Sequence, residues 1–172
     1  EQGIQPGQII EYNSMVLAAQ VANWGGIPTR WPIVPDEFEA IQTAVRQATQ
    51  NHDLVLLNAG SSAGSEDYTA DVVQSLGQLL VHGVAVRPGH PVILGMIENG
   101  AVTNDLITPA PAHPLTPIVG VPGYPVSAAL TGEIFVEPVL ARWRGQRPFQ
   151  PQTVQATLTR KVNSHTGDDD FV

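Results

Sequence analysis

The residues best suited to chemistry fall in three loops and two carboxylates. Residues 58–68 read Asn-Ala-Gly-Ser-Ser-Ala-Gly-Ser-Glu-Asp-Tyr. The small side chains of Gly60, Ser61, Ser62, Gly64 and Ser65 leave backbone N–H groups open, and the glycines let a ligand approach the main chain. Such a run can be an anion nest, or a tight strand-to-helix turn with no ligand. It also matches Gly-x-Ser-x-Gly, the nucleophile elbow of serine hydrolases. That chemistry needs a later acid and histidine. Asp105 and His113 come in the right order, but only eight residues apart in one irregular stretch. No Gly-Lys-Ser/Thr follows the loop, so it is not a Walker loop, and no Gly-x-Gly-x-x-Gly marks a dinucleotide site.

Asp36 and Asp67 each stand where a strand gives way to a helix. Each can cap that helix, or hold Mg2+ beside a phosphate, since Mg2+ takes hard oxygen ligands. Arg87-Pro88-Gly89-His90 is a stiff loop. Its planar guanidinium suits phosphate, although both polar side chains could equally be solvated. Gly120-Val121-Pro122-Gly123-Tyr124-Pro125 is a second rigid loop, with Gly123 free to bend and Tyr124 able to stack on a flat heterocycle or simply pack. His52, His113 and His165 have no ligand-like spacing, and His82 reads as a partly buried strand residue.

The elements that must position these groups follow from pattern. An apolar run at 53–57 leads into the first loop as a buried strand, and a helix over 69–76 leads out. Asn13 or Ser14 can cap an apolar helix that Gly25-Gly26 ends. Residues 27–34 read as a strand weakened by Pro28 and Pro32. Phe38, Ile41, Val45 and Ala48 recur at helical spacing behind Asp36 as cap. Strands are expected at 79–86, broken at His82-Gly83, at 92–97 and at 118–119, with a long loop over 98–117 and a helix over 126–140. This alternation predicts an α/β fold with a mostly parallel sheet. Val154, Ala156 and Leu158 alternate with polar residues, which predicts that a second, β-rich domain starts near residue 146. The expected division is therefore 1–145 and an incomplete 146–172.

A formal net charge of −8 argues against nucleic acid as a partner, because no basic field displaces counterions. An anionic small molecule would need local help from N–H groups, a metal ion or the arginines. The absence of cysteine excludes disulfides, thiolate catalysis and thiolate-bound metal, and fits a cytoplasmic location. No stretch has the length of a membrane span. Neither end reads as a natural boundary, so a fragment is expected.

Taken together, the three loops resemble one family, the MoeA/MogA-type molybdopterin-binding domains. Residues 58–68 resemble its Ser-Gly-Gly-x-Ser-x-Gly-x-x-Asp-Tyr loop. Residues 82–91, with Arg87-Pro88-Gly89-His90-Pro91, resemble its Lys-Pro-Gly-Lys-Pro stretch. Residues 120–128 resemble Gly-Leu-Pro-Gly-Asn-Pro-Val-Ser-Ala. Tyr12-Asn13-Ser14 and Val34-Pro35-Asp36 fit the same pattern, and the tail from Gln146 favours MoeA. The resemblance implies a three-layer MogA-like fold. It implies an enzyme of molybdenum cofactor biosynthesis that binds adenylylated molybdopterin and molybdate, releases AMP with Mg2+, and forms a homodimer. Asp67, Asp36 and Arg87 match active-site positions, with both aspartates on the metal. Gly60, Ser61, Ser62, Gly64, Ser65, His90, Pro122, Gly123, Tyr124 and Pro125 match ligand-binding ones. Departures are Asn58-Ala59 for Ser-Gly, Gly83 for a frequent lysine, Arg87 and His90 for lysines, and Tyr124 for Asn. The family's first strand and its Thr-Gly-Asp/Glu loop are expected before residue 1. These departures resemble a divergent branch fused to a periplasmic-binding-protein-like module. There the domain would be a pterin- or molybdate-binding sensor without turnover.

Overall fold

A computed structural model describes residues 10–58, 68–99, 114–157, 159–162, 164 and 166–172. In chain order these form α1 (Asn13–Asn23), α2 (Phe38–Thr49), β1 (Val55–Asn58), α3 (Tyr68–Leu76), β2 (Gly77–His82), β3 (Val86–Arg87), β4 (Ile93–Glu98), β5 (Leu115–Val121), α4 (Pro125–Thr131), α5 (Glu137–Trp143) and β6 (Asp169–Asp170). Among the described residues the main sheet has the order β1-β5-β4-β2. β1 runs parallel to β5, while β5–β4 and β4–β2 are antiparallel. The sheet is thus mixed. No helix links β2 to β4, and a parallel pair would need a long crossover between them.

Residues on the two central strands point alternately to two apolar layers, as the period of a strand requires. On one side Ile93, Ile97 and Ile118 pack against Ile41 and Val45 of α2 and Val72, Val73 and Leu76 of α3. On the other Val119 and Val121 pack against Leu17 of α1, Ala128 of α4 and Leu140 of α5. Helices therefore cover both faces, giving the expected three layers. Gly95 lets α3 press close: a Cβ there would lie 2.4 Å from Val73 and 2.9 Å from the Gln78 carbonyl.

Several local expectations are corrected. β2 begins at Gly77 and not at Leu79, and a Cβ on Gly77 would meet the Met96 carbonyl at 2.1 Å. Residues 27–34 form no strand, and Ile27 and Ile33 are exposed. Their two prolines remove ladder donors. β5 is longer than expected and tolerates Pro117, because pairing with β1 begins only at Ile118. The expected helix over 126–140 is α4, a π-turn at Gly132–Val136 and α5. There the Glu137 N–H reaches the Gly132 carbonyl, and the widened turn takes in Pro138, which has no N–H to donate. The alternation over 153–162 forms no strand among its described residues, and those at 151–157 are exposed. No helix of the described residues is long and apolar enough to cross a membrane.

Ile118 is buried on the central strand, 1% exposed. Ile118→Ala is expected to cost about 3 kcal/mol, the usual toll of such a truncation, measured by urea denaturation.

Candidate functional site

The topology brings the chemistry-bearing loops to one edge of the sheet. Asn58 ends β1 beside Val121, which ends the parallel β5. At the same edge His82 ends β2 opposite Ile93, which begins β4. The loop after β1, the 83–92 excursion and the 122–124 loop all leave the sheet there.

The 83–92 excursion is closed at its base by short hydrogen bonds. The Gly83 N–H donates to the Val92 carbonyl at 2.8 Å, and the Val84 N–H to the His90 carbonyl at 2.9 Å. Gly83 has φ +87°, a conformation that side-chain-bearing residues resist, which explains glycine where the resembled family often has lysine. Arg87 and His90 sit exposed at the tip, and the Arg87–Pro88 peptide is cis. Gly89 borders α4 at ordinary van der Waals distance: a Cβ on it would lie 3.9 Å from that of Ser127. The arginine loop and the proline loop are thus neighbours. Of the latter, Pro122 is buried, Gly123 and Pro125 are half-buried, and Tyr124 is 61% exposed and available to a ligand face. His82 is exposed, not partly buried.

The third loop is tied to these by a residue whose role the sequence reading missed. Asn13 does not cap α1; it is 6% exposed. Its side-chain amide donates to Asn58 Oδ1 at 3.2 Å and to the Gly123 carbonyl at 2.8 Å. The start of α1 is instead held by Glu11, whose carboxylate accepts the Ser14 N–H at 2.7 Å and the Ser14 hydroxyl at 2.6 Å. Arg30 Nε donates to the same hydroxyl at 3.0 Å. Burial opposes the charge on Glu11, yet the Ser14 hydrogen bonds and the nearby Arg30 hold its carboxyl below the usual range. The signal in the sequence was a polar triplet, Glu11, Asn13 and Ser14, ahead of an apolar helix. Only the fold shows which member faces inward.

Beside this knot runs an apolar slot of about 800 Å³ between α1, α2, residues 26–34 and the outer edge of β1. Asp36 is exposed on its rim. Asp36 does not cap α2: that position belongs to Glu37, which makes no side-chain cap bond. Gly60, Ser61, Ser62, Gly64, Ser65 and Asp67 lie outside the described residues. Among the described residues no three His, Asp or Glu side chains converge as metal ligands.

An α/β sandwich whose strand-end loops carry a guanidinium and a rigid proline turn belongs to the proteins that hold small ligands at the carboxyl ends of their strands. Comparison with known proteins narrows the class. Residues 2–142 match the family model described as "Probable molybdopterin binding domain", and the chain belongs to that family. It is 33% identical over 167 residues to a Methanocaldococcus jannaschii protein named for molybdopterin biosynthesis, covering 96% of this chain and 36% of that one. It is 32% identical over 167 residues to the molybdopterin molybdenumtransferase of a Nostoc species, covering 96% and 34%. The solved MoeA structure from Pyrococcus horikosii superimposes with a TM-score of 0.68 at 28% identity, covering 84% of this chain and 32% of that one. The chain spans about a third of the length of these relatives.

Two outcomes test the knot. Asn13→Ala removes the donor to two half-buried acceptors and should cost about 1 kcal/mol in urea denaturation. Glu11→Gln should lower the Tm at neutral pH. Because the folded-state pKa is depressed, this difference is full above the ordinary value of 4.5 and closes as pH falls through the lowered native value.

Proposed function

We propose that this chain is the molybdopterin-binding core of a molybdotransferase-like enzyme of molybdenum cofactor biosynthesis. The observation that carries the reading is the convergence of the 83–92 excursion, the proline loop and the end of β1 on one sheet edge, in a member of the molybdopterin-binding family. Adenylylated molybdopterin supplies anionic phosphates and a flat pterin. Arg87 takes an anionic oxygen through its planar fork, and His90 adds a ring N–H donor. Tyr124 offers a ring face to the pterin, and the proline loop presents it without an ordering cost. The small-residue loop from Gly60 to Ser65 cradles phosphate through its N–H groups.

Asp36 supplies one hard oxygen donor at the rim, and Asp67 is assigned the second by the resemblance. One or two carboxylates completed by substrate phosphates is a donor set that suits Mg2+. When bound, the ion would neutralise charge developing on the departing adenylate. Molybdate is the co-substrate, and the assembly is proposed as a cytoplasmic homodimer.

A binding-only reading, a pterin- or molybdate-sensing module without turnover, is favoured by Gly83. Glycine stands there, at φ +87°, in place of the lysine frequent in the resembled family, so one cation is absent from the loop. Calorimetry with molybdopterin and its adenylate, with and without Mg2+, followed by chromatography of AMP, separates the two. Binding with Mg2+-dependent AMP release supports the enzyme, binding without release supports the module, and no binding sinks both. Arg87→Ala should weaken molybdopterin binding about tenfold, as loss of a charge-assisted hydrogen bond does. Asp67→Ala should abolish Mg2+-dependent AMP release with little change in Tm.

A further inference from the structure

Arg87 already has an anion on it. Its Nε donates to the Asp168 carboxylate, from a segment distant in sequence. The Arg87 side chain is 51% exposed, while that of Asp168 is 16% exposed. The main chain is fastened as well. β6 lies parallel to β3, with Val86 opposite Asp169 and Arg87 opposite Asp170. The Asp169 N–H donates to the Ala85 carbonyl at 2.8 Å and the Phe171 N–H to the Arg87 carbonyl at 2.7 Å. Asp170 and Phe171 then form one wall of an open cavity of about 540 Å³, whose other wall runs from Arg87 to Pro91.

We infer that residues 166–172 are a displaceable acidic strap that competes with the anionic ligand for Arg87. The inference rests on the reading of Arg87 as a ligand contact. Asp168 presents to the guanidinium the same kind of group, an oxyanion, that a phosphate would present. Three successive aspartates, Asp168, Asp169 and Asp170, bring further negative charge to that loop and oppose an incoming anion. The strap's ties to the Arg87 loop are weak. An ion pair with so exposed an arginine contributes little, and the main-chain bonds are those of a two-residue bridge. The stretch that leads toward it, residues 151–157, is exposed, so release need not disturb the two cores. A phosphate of higher charge can therefore take the arginine, and strap release opens the cavity's second wall.

The test is calorimetric titration of molybdopterin into the full chain and into Asp168→Asn and Asp168→Glu. Hydrogen exchange at the Asp169 and Phe171 amides is followed in parallel. Asp168→Asn should bind about three- to fivefold more tightly. Asp168→Glu should stay near the parent, and the gain should vanish when Arg87→Ala is combined with Asp168→Asn. Ligand should also strip exchange protection from the Asp169 and Phe171 amides. Unchanged or weaker binding by Asp168→Asn, or amides that stay protected at saturation, would overturn the strap while leaving the ligand reading intact. No molybdopterin binding by parent and variant alike would overturn the ligand reading, and the strap inference with it.

Discussion

One side-chain amide holds the candidate site together. Asn13 Nδ2 has two hydrogens, and both are used: one toward Asn58 at the end of β1, the other toward the carbonyl of Gly123 just past β5. Parallel neighbours end side by side, so a single buried amide can reach both strand ends at once. The contact extends through Asn58 Nδ2, which lies 3.5 Å from Glu11 Oε1, and from Glu11 through Ser14 to Arg30. A polar relay thus runs from the proline loop to the wall of the apolar slot. Loops lack the ladders that fix strands. Without such a tie, each of these would find its own position.

The layers below set where that tie can form. β1 and β5 hold one register between two helix layers that pack the sheet from opposite sides. Gly120, at the last turn of this register, keeps the sheet close to its surroundings: a Cβ on it would meet Ile93 at 2.8 Å and Thr69 at 3.0 Å. Core packing at one end of a strand and ligand geometry at the other are therefore a single problem. A residue that moved α3 outward would also move Tyr68, where the preceding loop ends.

Much of this was legible in the residues, and the failures have identifiable causes. The apolar run before Asn58, the spacing of Ile41, Val45 and Ala48, and the prolines at 122 and 125 each report a local constraint, and each element appears near where the pattern puts it, although β1 is half-buried and not buried as expected. β2 starts two residues before the expected strand because Gly77, without a side chain, lets β4 come close. Residues 27–34 have strand-like composition, but composition reports preference and not the presence of a partner edge. Asn13 has the chemistry of a cap and the burial of a core residue. Only Asn58 and Gly123, 45 and 110 residues away, decide between them.

The charge of the chain poses a final physical question, and the local arrangement addresses it. A chain of net charge −8 repels anions at long range, so attraction to a phosphate must be generated within a few ångströms. Short-range capture depends on geometry more than on total charge: an arginine beside a proline at a loop tip offers its fork to an anion at close range. The same arrangement makes that cation vulnerable to any nearby carboxylate with a backbone path to it, and Asp168 has one through the β3–β6 pairing. Occupancy of Arg87 is then set by a contest between two anions at close range, and the overall charge of the protein enters only as a background common to both.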